Sequence, residues 1–424
     1  MNIRLPSQFW RVLTASGLSN LADGIVKTAV PLIAVRFTTS PLAIGGLAFA
    51  LTLPWLLFSL PAGAIIDRSD RRRVMLIANT GRAIIAALLA VALFGGVQSI
   101  ILLYVCALLV GITEVFYDTG AQSLLPQVVA RDQLAKANSR LYAAEVLANQ
   151  LLGPPLGGFL VGIVGIGIGL AAGIPAAIWG FALVALFSLA GSYVVNRGDT
   201  HNSITADIAE GMRYLVRHRI LRMLAIMTGV SNLGFAMFFG VVVLYLVGPD
   251  SAMRLTDAQY GLILTFTALG SLLGAAIANR VATLLGRQAA LGVGVFTMAA
   301  PIIALVIGPI PWLYALASVL SGLGIMVWNV VAVSLRQQIT PDGSLGRMNS
   351  CYRLVSWGTM PIGSLLGGLI GQMAGIRVVF WVALVFSLAV AFGLFTLTNT
   401  AIAQSIQANT TGDASALGAA AGAA

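Results

Sequence analysis

The chain has 424 residues, with 24 Lys+Arg, 14 Asp+Glu and 2 His; only 9% of its side chains are charged against 58% hydrophobic, and its mean hydropathy is +0.95. A soluble domain carries roughly a quarter charged residues, so the composition excludes a soluble enzyme. The net charge of +10 does not point to nucleic acid either, because the basic residues lie between apolar stretches and not on one soluble face.

A helix needs about 20 apolar residues to cross roughly 30 Å of hydrocarbon. Twelve such runs are predicted, over 13–35, 42–66, 74–95, 99–122, 141–164, 170–195, 221–247, 258–279, 288–308, 311–334, 351–372 and 377–398. Segments such as Ala83–Leu93 are apolar all round, which excludes the alternation of barrel strands. The first run lacks a small-residue cleavage site and is read as a retained span. Numbered from a cytoplasmic N-terminus, the inner connections receive 20 of the 24 cations, Arg82 among them. The outer side receives Arg36, Arg254 and Arg377, and Lys27 lies inside a span. This asymmetry obeys the positive-inside rule and predicts an even span count with both termini in the cytoplasm.

The predicted organisation is an N-terminal six-helix bundle over 1–195, a cytoplasmic linker over 196–219, a C-terminal six-helix bundle over 220–399 and a disordered cytoplasmic tail over 400–424. The linker ends in the basic stretch Arg213–Arg219 and reads either as a short amphipathic helix along the inner membrane face or as a solvated connection. Cys106 and Cys351 sit in apolar segments, both histidines lie in the linker, and there is no phosphate-binding Gly-rich loop. The expectation is therefore no cofactor, no metal, no catalytic constellation and no nucleic-acid partner; the partners expected are a small-molecule substrate, protons and the lipid bilayer, with the chain a monomer.

Sliding the chain on itself by about 211 residues brings Ser19-Asn20-Leu21 onto Ser231-Asn232-Leu233 and Gly111 onto Gly322. Ser123-Leu124, Gln127, Leu134 and Asn138-Ser139 fall on Ser334-Leu335, Gln338, Leu345 and Asn349-Ser350, and Leu156-Gly157-Gly158 on Leu366-Gly367-Gly368. Polar residues holding one spacing across several spans mark a duplication. Each copy has an even number of spans, so both enter from the same side, which is the plan of a transporter with two rocking halves. The predicted fold class is an all-α membrane protein of twelve transmembrane helices in two six-helix repeats.

Asp23 and Lys27 lie mid-span and four residues apart, on one helix face. Ionisable groups at that depth are costly unless paired or hydrated and are functional candidates by default. The expectation is an Asp23–Lys27 pair beside a cavity, with Glu114 on the fourth span as the proton or cation carrier; Glu145 is read as structural. The repeat offset sets Asp23, Lys27, Glu114 and Asp118 against Phe235, Phe239, Ile325 and Asn329, with Trp328 adjacent. An ionisable wall facing an aromatic wall of Phe235, Phe239 and Trp328 would suit an amphiphilic, cationic molecule.

The loop after the second span, Gly63-Ala-Ile-Ile-Asp67-Arg68-Ser-Asp70-Arg71-Arg72-Arg73, resembles the G-x-x-x-D-R-x-x-R-R signature of the major facilitator superfamily. Gly153-Pro154-Pro-Leu-Gly157-Gly158 on the fifth span is similar to the G-P-x-x-G-G motif of its antiporter members. Phe116-Tyr-Asp118, Ser123-Leu-Leu-Pro126 and Ala137-Asn138-Ser139 resemble the branch of bacterial macrolide and enterobactin exporters. The resemblance implies a cytoplasmic gate of Asp67, Arg68, Arg71 and Asp118, the last being the matching acid on span four. It also implies that Gly153, Pro154, Gly157 and Gly158 pack closely and exclude leaks. Asp70 stands where the loop often has Gly, and Glu114 where many proton-coupled exporters have Arg. The implied function is export of a drug-like, macrolide-like or siderophore-like compound by alternating access, as proton antiport. Alternatives are an importer or flippase of a lipid-like or nutrient molecule, and a sensor or scaffold that does not transport.

Overall fold

The computed structural model describes residues 5–130, 133–191, 193–194 and 204–411. These are helical apart from turns and one backbone bridge between Val247 and Leu255. The first repeat contains α1 (Ser7–Phe37), α2 (Pro41–Asp67), α3 (Arg71–Phe94), α4 (Ile100–Val128), α5 (Leu134–Glu145), α6 (Gly153–Gly162) and α7 (Gly167–Phe187). After α8 (Ile204–Arg217), the second contains α9 (Arg219–Phe239), α10 (Val242–Leu246), α11 (Asp257–Leu285), α12 (Arg287–Met298), α13 (Ala300–Ile307), α14 (Pro311–Ile339), α15 (Asp342–Trp357), α16 (Thr359–Ala374) and α17 (Ile376–Ala389), and α18 (Asn399–Thr411) follows.

Eleven helical segments among the described residues are long and apolar enough to cross a membrane. The run from α5 to α6 is the remaining one of the twelve; a π-helical segment, Val146–Leu152, interrupts it. Pro154 and Pro155 explain the interruption, because each lacks the N–H that would bond the carbonyl four residues back. The Leu151 carbonyl accepts the Thr265 hydroxyl instead, at 3.3 Å. The runs through α5 and α15 begin at Leu134 and Asp342, well before the predicted 141 and 351, because their first turns are polar and escape a hydropathy reading.

Local sequence sets the helix starts. Ser40, Ser99 and Asp70 are N-caps whose side chains accept from the N–H of Ala43, Leu102 and Arg72. Asp70, which departs from the superfamily's loop glycine, thus begins α3.

The chain divides into two compact units. One runs to Arg197 and also includes Gly240–Thr265; the other contains Gly198–Phe239 and everything from Phe266. Both show the same seam between the first and fifth helices of the repeat. A Cβ on Gly157 of α6 would lie 2.7 Å from the Ile25 carbonyl of α1, and one on Gly367 of α16 would lie 2.3 Å from the Met237 carbonyl of α9. Ile25 and Met237 are related by the repeat offset, so the duplication read from polar residues is also a duplicated backbone contact.

Two expectations change. Asn399–Thr411, where a disordered tail was predicted from 400, is helix α18. It is held by burial of Ile402 and Ser405 and by an Asn409 side-chain bond to the Gln338 carbonyl at 2.9 Å; residues 412–424 lie outside the described residues. The predicted linker contains helix α8, but its apolar residues Ile208, Met212 and Leu215 join the core of the second unit instead of facing lipid. The Cys351 thiol donates to the Ile208 carbonyl and Arg347 pairs with Glu210 at 3.0 Å. Residues 196–203 of the linker are outside the described residues.

Overpacking a helix seam costs typically 1–3 kcal/mol. Gly157→Leu and Gly367→Leu are therefore expected to lower the thermal midpoint of the detergent-solubilised protein by several degrees. Gly180→Ala, on α7 with nothing within 4 Å of the added methyl, should leave it unchanged. His218, buried at the α8–α9 junction outside the spans, gives a pH test. Burial pushes its imidazole down to about 4 from the ordinary 6.5. Between those values the unfolded chain binds a proton that the folded chain rejects, so stability falls as pH drops from 6.5 towards 4 and is unaffected above 6.5. His218→Asn should flatten the midpoint-against-pH curve in that window alone.

Candidate functional site

On α1, Ser19, Asp23 and Lys27 recur every four residues and form one polar stripe along the helix. Each meets a polar partner from a neighbouring helix. The Asn79 amide of α3 donates to the Ser19 hydroxyl at 2.8 Å, and one turn further along α3 Arg82 pairs with Asp23, Nη1 to Oδ2 at 3.3 Å. Arg82 is 0% exposed, with its guanidinium 5.0 Å from the Tyr117 ring centre of α4 and 5.8 Å from that of Trp179 of α7. The aromatic faces and the carboxylate together offset a charge that could not be buried alone. Arg82 Nε and Nη2, Asp23 Oδ1 and Asn79 Oδ1 find no hydrogen-bond partner among the described residues, which leaves polar capacity inside the site.

Lys27 pairs with Glu114 of α4, Nζ to Oε1 at 2.9 Å. Its side chain is 46% exposed, whereas Asp23 is 3% exposed, so the site has a sealed pair and an accessible one. Asp118 lies one turn beyond Glu114 on α4, in the field of Glu114, Arg82, Asp23 and Lys27, and makes no ion pair among the described residues. Glu145 at the end of α5 lies in the field of Lys27 and Glu114. The group thus gathers Asp23, Glu114, Asp118 and Glu145 around Lys27 and Arg82.

The expected Asp23–Lys27 pair is therefore not formed: Asp23 takes Arg82, and Lys27 takes Glu114. Two residues on one helix at this spacing do face the same way, but each reaches a different neighbouring helix. Arg82 was counted with the inner connections and is instead in the interior of α3. Its position inside an apolar run was the signal that could have found it.

At the α2–α3 turn, Arg68 is the exposed C-cap of α2. Arg71 is buried and donates to the Tyr193 carbonyl at 3.0 Å. Arg72 donates to the carbonyls of Leu186 and Phe187 at 3.1 and 2.9 Å, and Arg11 of α1 to that of Ser188. Three arginines thus engage the last turn of α7 and the chain just after it, where unpaired carbonyls and the helix dipole favour cations. The Asp67 side chain lies outside the described residues.

The antiporter-like motif sits between α1 and the start of α11. A Cβ on Gly153 would be 2.6 Å from Gly24 Cα, and one on Gly158 would be 2.3 Å from the Asp257 carbonyl; Pro154 opens α6 and its carbonyl meets Gly261. Of the aromatic candidates, Phe235 and Phe239 stack with ring centres 5.5 Å apart, and Phe239 is partly exposed. Trp328 does not belong to a cavity wall. It is 5% exposed in the apolar core of the second unit with Leu291, Val295 and Val331, because Gly294 of α12 leaves room for it.

Residues 5–414 match the model of a family described as transmembrane secretion effector, a branch of the major facilitator superfamily. The chain belongs to this family of transporters. It is 28% identical over 384 residues to the multidrug efflux pump Tap of Mycolicibacterium fortuitum, covering 87% of this chain and 90% of that protein. It is 26% identical over 383 residues to Tap of Mycobacterium tuberculosis strain H37Rv, covering 87% and 88%. Among solved structures, a point mutant of the nucleoside transporter NupG matches with a TM-score of 0.76 at 13% identity, over 92% of this chain and 100% of that one. A bacterial homologue of the iron transporter ferroportin matches at 0.72 and 19% identity, over 93% and 99%. At such identities the structures establish the shared fold alone, all-α and multi-pass; that the chain is a transporter and not an enzyme rests on its family.

Removing one partner of a buried pair leaves the other charge stranded, typically at about 3–5 kcal/mol. Arg82→Met should therefore sharply reduce the folded yield on size-exclusion chromatography, and Arg82→Met combined with Asp23→Asn should recover part of it.

Proposed function

We propose that the protein exports a small organic or amphiphilic compound across a bacterial cytoplasmic membrane by alternating access, in exchange for protons. The observation that carries the coupling is the charge imbalance around α1 and α4: four carboxylates gather about Lys27 and Arg82, and Asp118 is without an ion pair among the described residues. A proton can settle on Asp118 without breaking a pair, and a proton on Glu114 releases the accessible Lys27 ammonium. Either event changes the local charge by one unit, and a state-dependent charge is what biases a two-state carrier. The similarity to the Tap multidrug efflux pumps over most of both chains supports drug-like cargo.

In this reading both termini are cytoplasmic, which the distribution of cations supports. Asp67, Arg68, Arg71 and Asp118 belong to the cytoplasmic gate, where the arginine hold on the end of α7 ties the α2–α3 turn to the rest of the first unit. Gly153 and Gly157 bring α6 close to α1, and Pro154 and Gly158 bring it close to the start of α11, so that no aqueous path is left along these seams. Phe235 and Phe239 offer the substrate an aromatic face.

The reading is tested in proteoliposomes with ethidium as the cargo and an imposed pH gradient. The parent protein should drive ethidium movement that collapses with the gradient. Asp118→Asn and Glu114→Gln should each lose at least tenfold of the gradient-driven rate while keeping gradient-independent ethidium exchange. Gradient-driven transport at the parental rate in both variants would reject the proton role of this cluster, and movement insensitive to the gradient in the parent would reject antiport.

A further inference from the structure

Segment 240–265 belongs by sequence to the second repeat, yet packs within the first unit. In a carrier whose repeats rock, this is where contact has to be broken. It is built as a stiff hook. Gly248 at φ +105° and Arg254 at φ +52° turn the chain back on itself, and Arg254 does so in a region where a non-glycine residue is strained. Leu255 N–H bonds the Leu246 carbonyl at 2.9 Å and Met253 N–H that of Tyr245 at 3.1 Å. Thr256 and Gln259 then exchange reciprocal side-chain to backbone bonds, 2.9 and 3.2 Å, a capping box that fixes the first turn of α11.

That first turn presents Asp257. Its backbone is seated against Gly158, where no larger residue would fit. Its carboxylate meets Arg36 in the last turn of α1: Nη2 donates to Asp257 Oδ2 at 2.6 Å and to the Val161 carbonyl of α6 at 2.9 Å. One guanidinium nitrogen thus ties together the ends of α1 and α6 and the start of α11. The pair is not sealed, with side-chain exposures of 42% for Arg36 and 15% for Asp257. It borders a cleft of about 780 Å³ lined by Phe159, Ile163, Val247 and Arg254 among others. With Arg36 nearly half-exposed and Asp257 at the edge of an open cleft, water is at hand to solvate the charges when they part, unlike at Asp23–Arg82.

We propose that Arg36 and Asp257 form a releasable latch on the end of the first unit that carries the α1–α2 turn, holding that end closed until the start of α11 swings away. The latch rests on the alternating-access reading, and places that end outside the cell. Arg36 and Asp257 are positioning residues: they set how often the end opens, not what is bound.

The test labels a cysteine placed at Thr265, two turns into α11 from Asp257 and in contact with the Leu151 carbonyl. It uses full-length protein in proteoliposomes with Cys106 and Cys351 replaced by Ala, and an impermeant maleimide on the α1–α2 side. Arg36→Gln and Asp257→Asn should each raise the labelling rate at least threefold with the thermal midpoint unchanged. The double variant should add nothing beyond the larger single effect, because both remove one interaction. Labelling at the parental rate in both singles, additive effects in the double, or faster labelling that accompanies a lowered midpoint would each overturn the latch. Ethidium transport measured on the same vesicles separates the two ideas: absent transport with the expected labelling pattern sinks the exporter reading and leaves the latch standing.

Discussion

The first unit is organised by the need to keep charge inside a helix bundle that has almost none to spare. Asp23 and Arg82 lie where neither could stay ionised alone, and the surrounding structure follows from pairing them. Four helices contribute: α1 the carboxylate, α3 the guanidinium, α4 and α7 the aromatic faces of Tyr117 and Trp179. The guanidinium pairs with Asp23 through one nitrogen and faces two rings, so its place couples α1 and α3 to α4 and α7. The Ser19–Asn79 bond one turn away repeats the same α1–α3 tie without charge. The accessible Lys27–Glu114 pair lies about one turn along α1 and α4 from this frame.

The second unit has the same frame by different means. Its first and fifth helices meet at Gly363 and Gly367 as those of the first meet at Gly153 and Gly157. Asn232, the repeat partner of Asn20, bonds the Ser356 carbonyl at 2.7 Å, while Asn20 accepts from Asn149 at 3.2 Å. Packing contacts that a duplicated fold needs are kept in both copies, whereas Asp23, Lys27, Glu114 and Asp118 have no charged counterpart at the repeat-related positions. Where the first unit has Asp23 and Lys27, the second has the stacked Phe235 and Phe239. Once one bundle carried the ionic site, the other was released from holding it and could serve a different contact.

Most of the fold was legible because hydrocarbon leaves so few solutions: length of apolar runs, cation asymmetry and a polar repeat gave span number and duplication. What escaped has physical causes. The broken fifth span, the early starts of α5 and α15, and helix α18 depend on proline geometry, polar turns and tertiary burial of Ile402, none of which hydropathy registers. In the site, Asp23 and Lys27 were legible through their four-residue spacing and Glu114 as a carboxylate on the fourth span, while Asp118 entered only as the gate acid that the family resemblance implies. The pairing was not, because helix periodicity shows which residues share a face and is silent about what stands opposite. Arg82 was assigned to topology by counting cations, although a cation well inside an apolar run calls for a partner first. Trp328 shows the reverse error: an aromatic residue at a repeat-related site position that simply fills the space beside Gly294.

The two exposed-to-buried contrasts in the first unit divide labour along the helices. Asp23–Arg82 is dry, aromatic-lined and short of partners, so opening it would strand charges in a low-dielectric interior. Arg36–Asp257 joins the same helix α1, nearer its C-terminal end, to a turn with water at its edge. A carrier needs some contacts that persist through the cycle and others that exchange at low cost. The persistent ones should be those whose separated charges cannot be solvated, and the exchangeable ones those whose charges can. Lys27–Glu114, with its ammonium 46% and its carboxylate 11% exposed, falls beside Arg36–Asp257 on the exchangeable side. Its charges too can be solvated as they part, so a proton or a substrate can take the place of the partner that leaves.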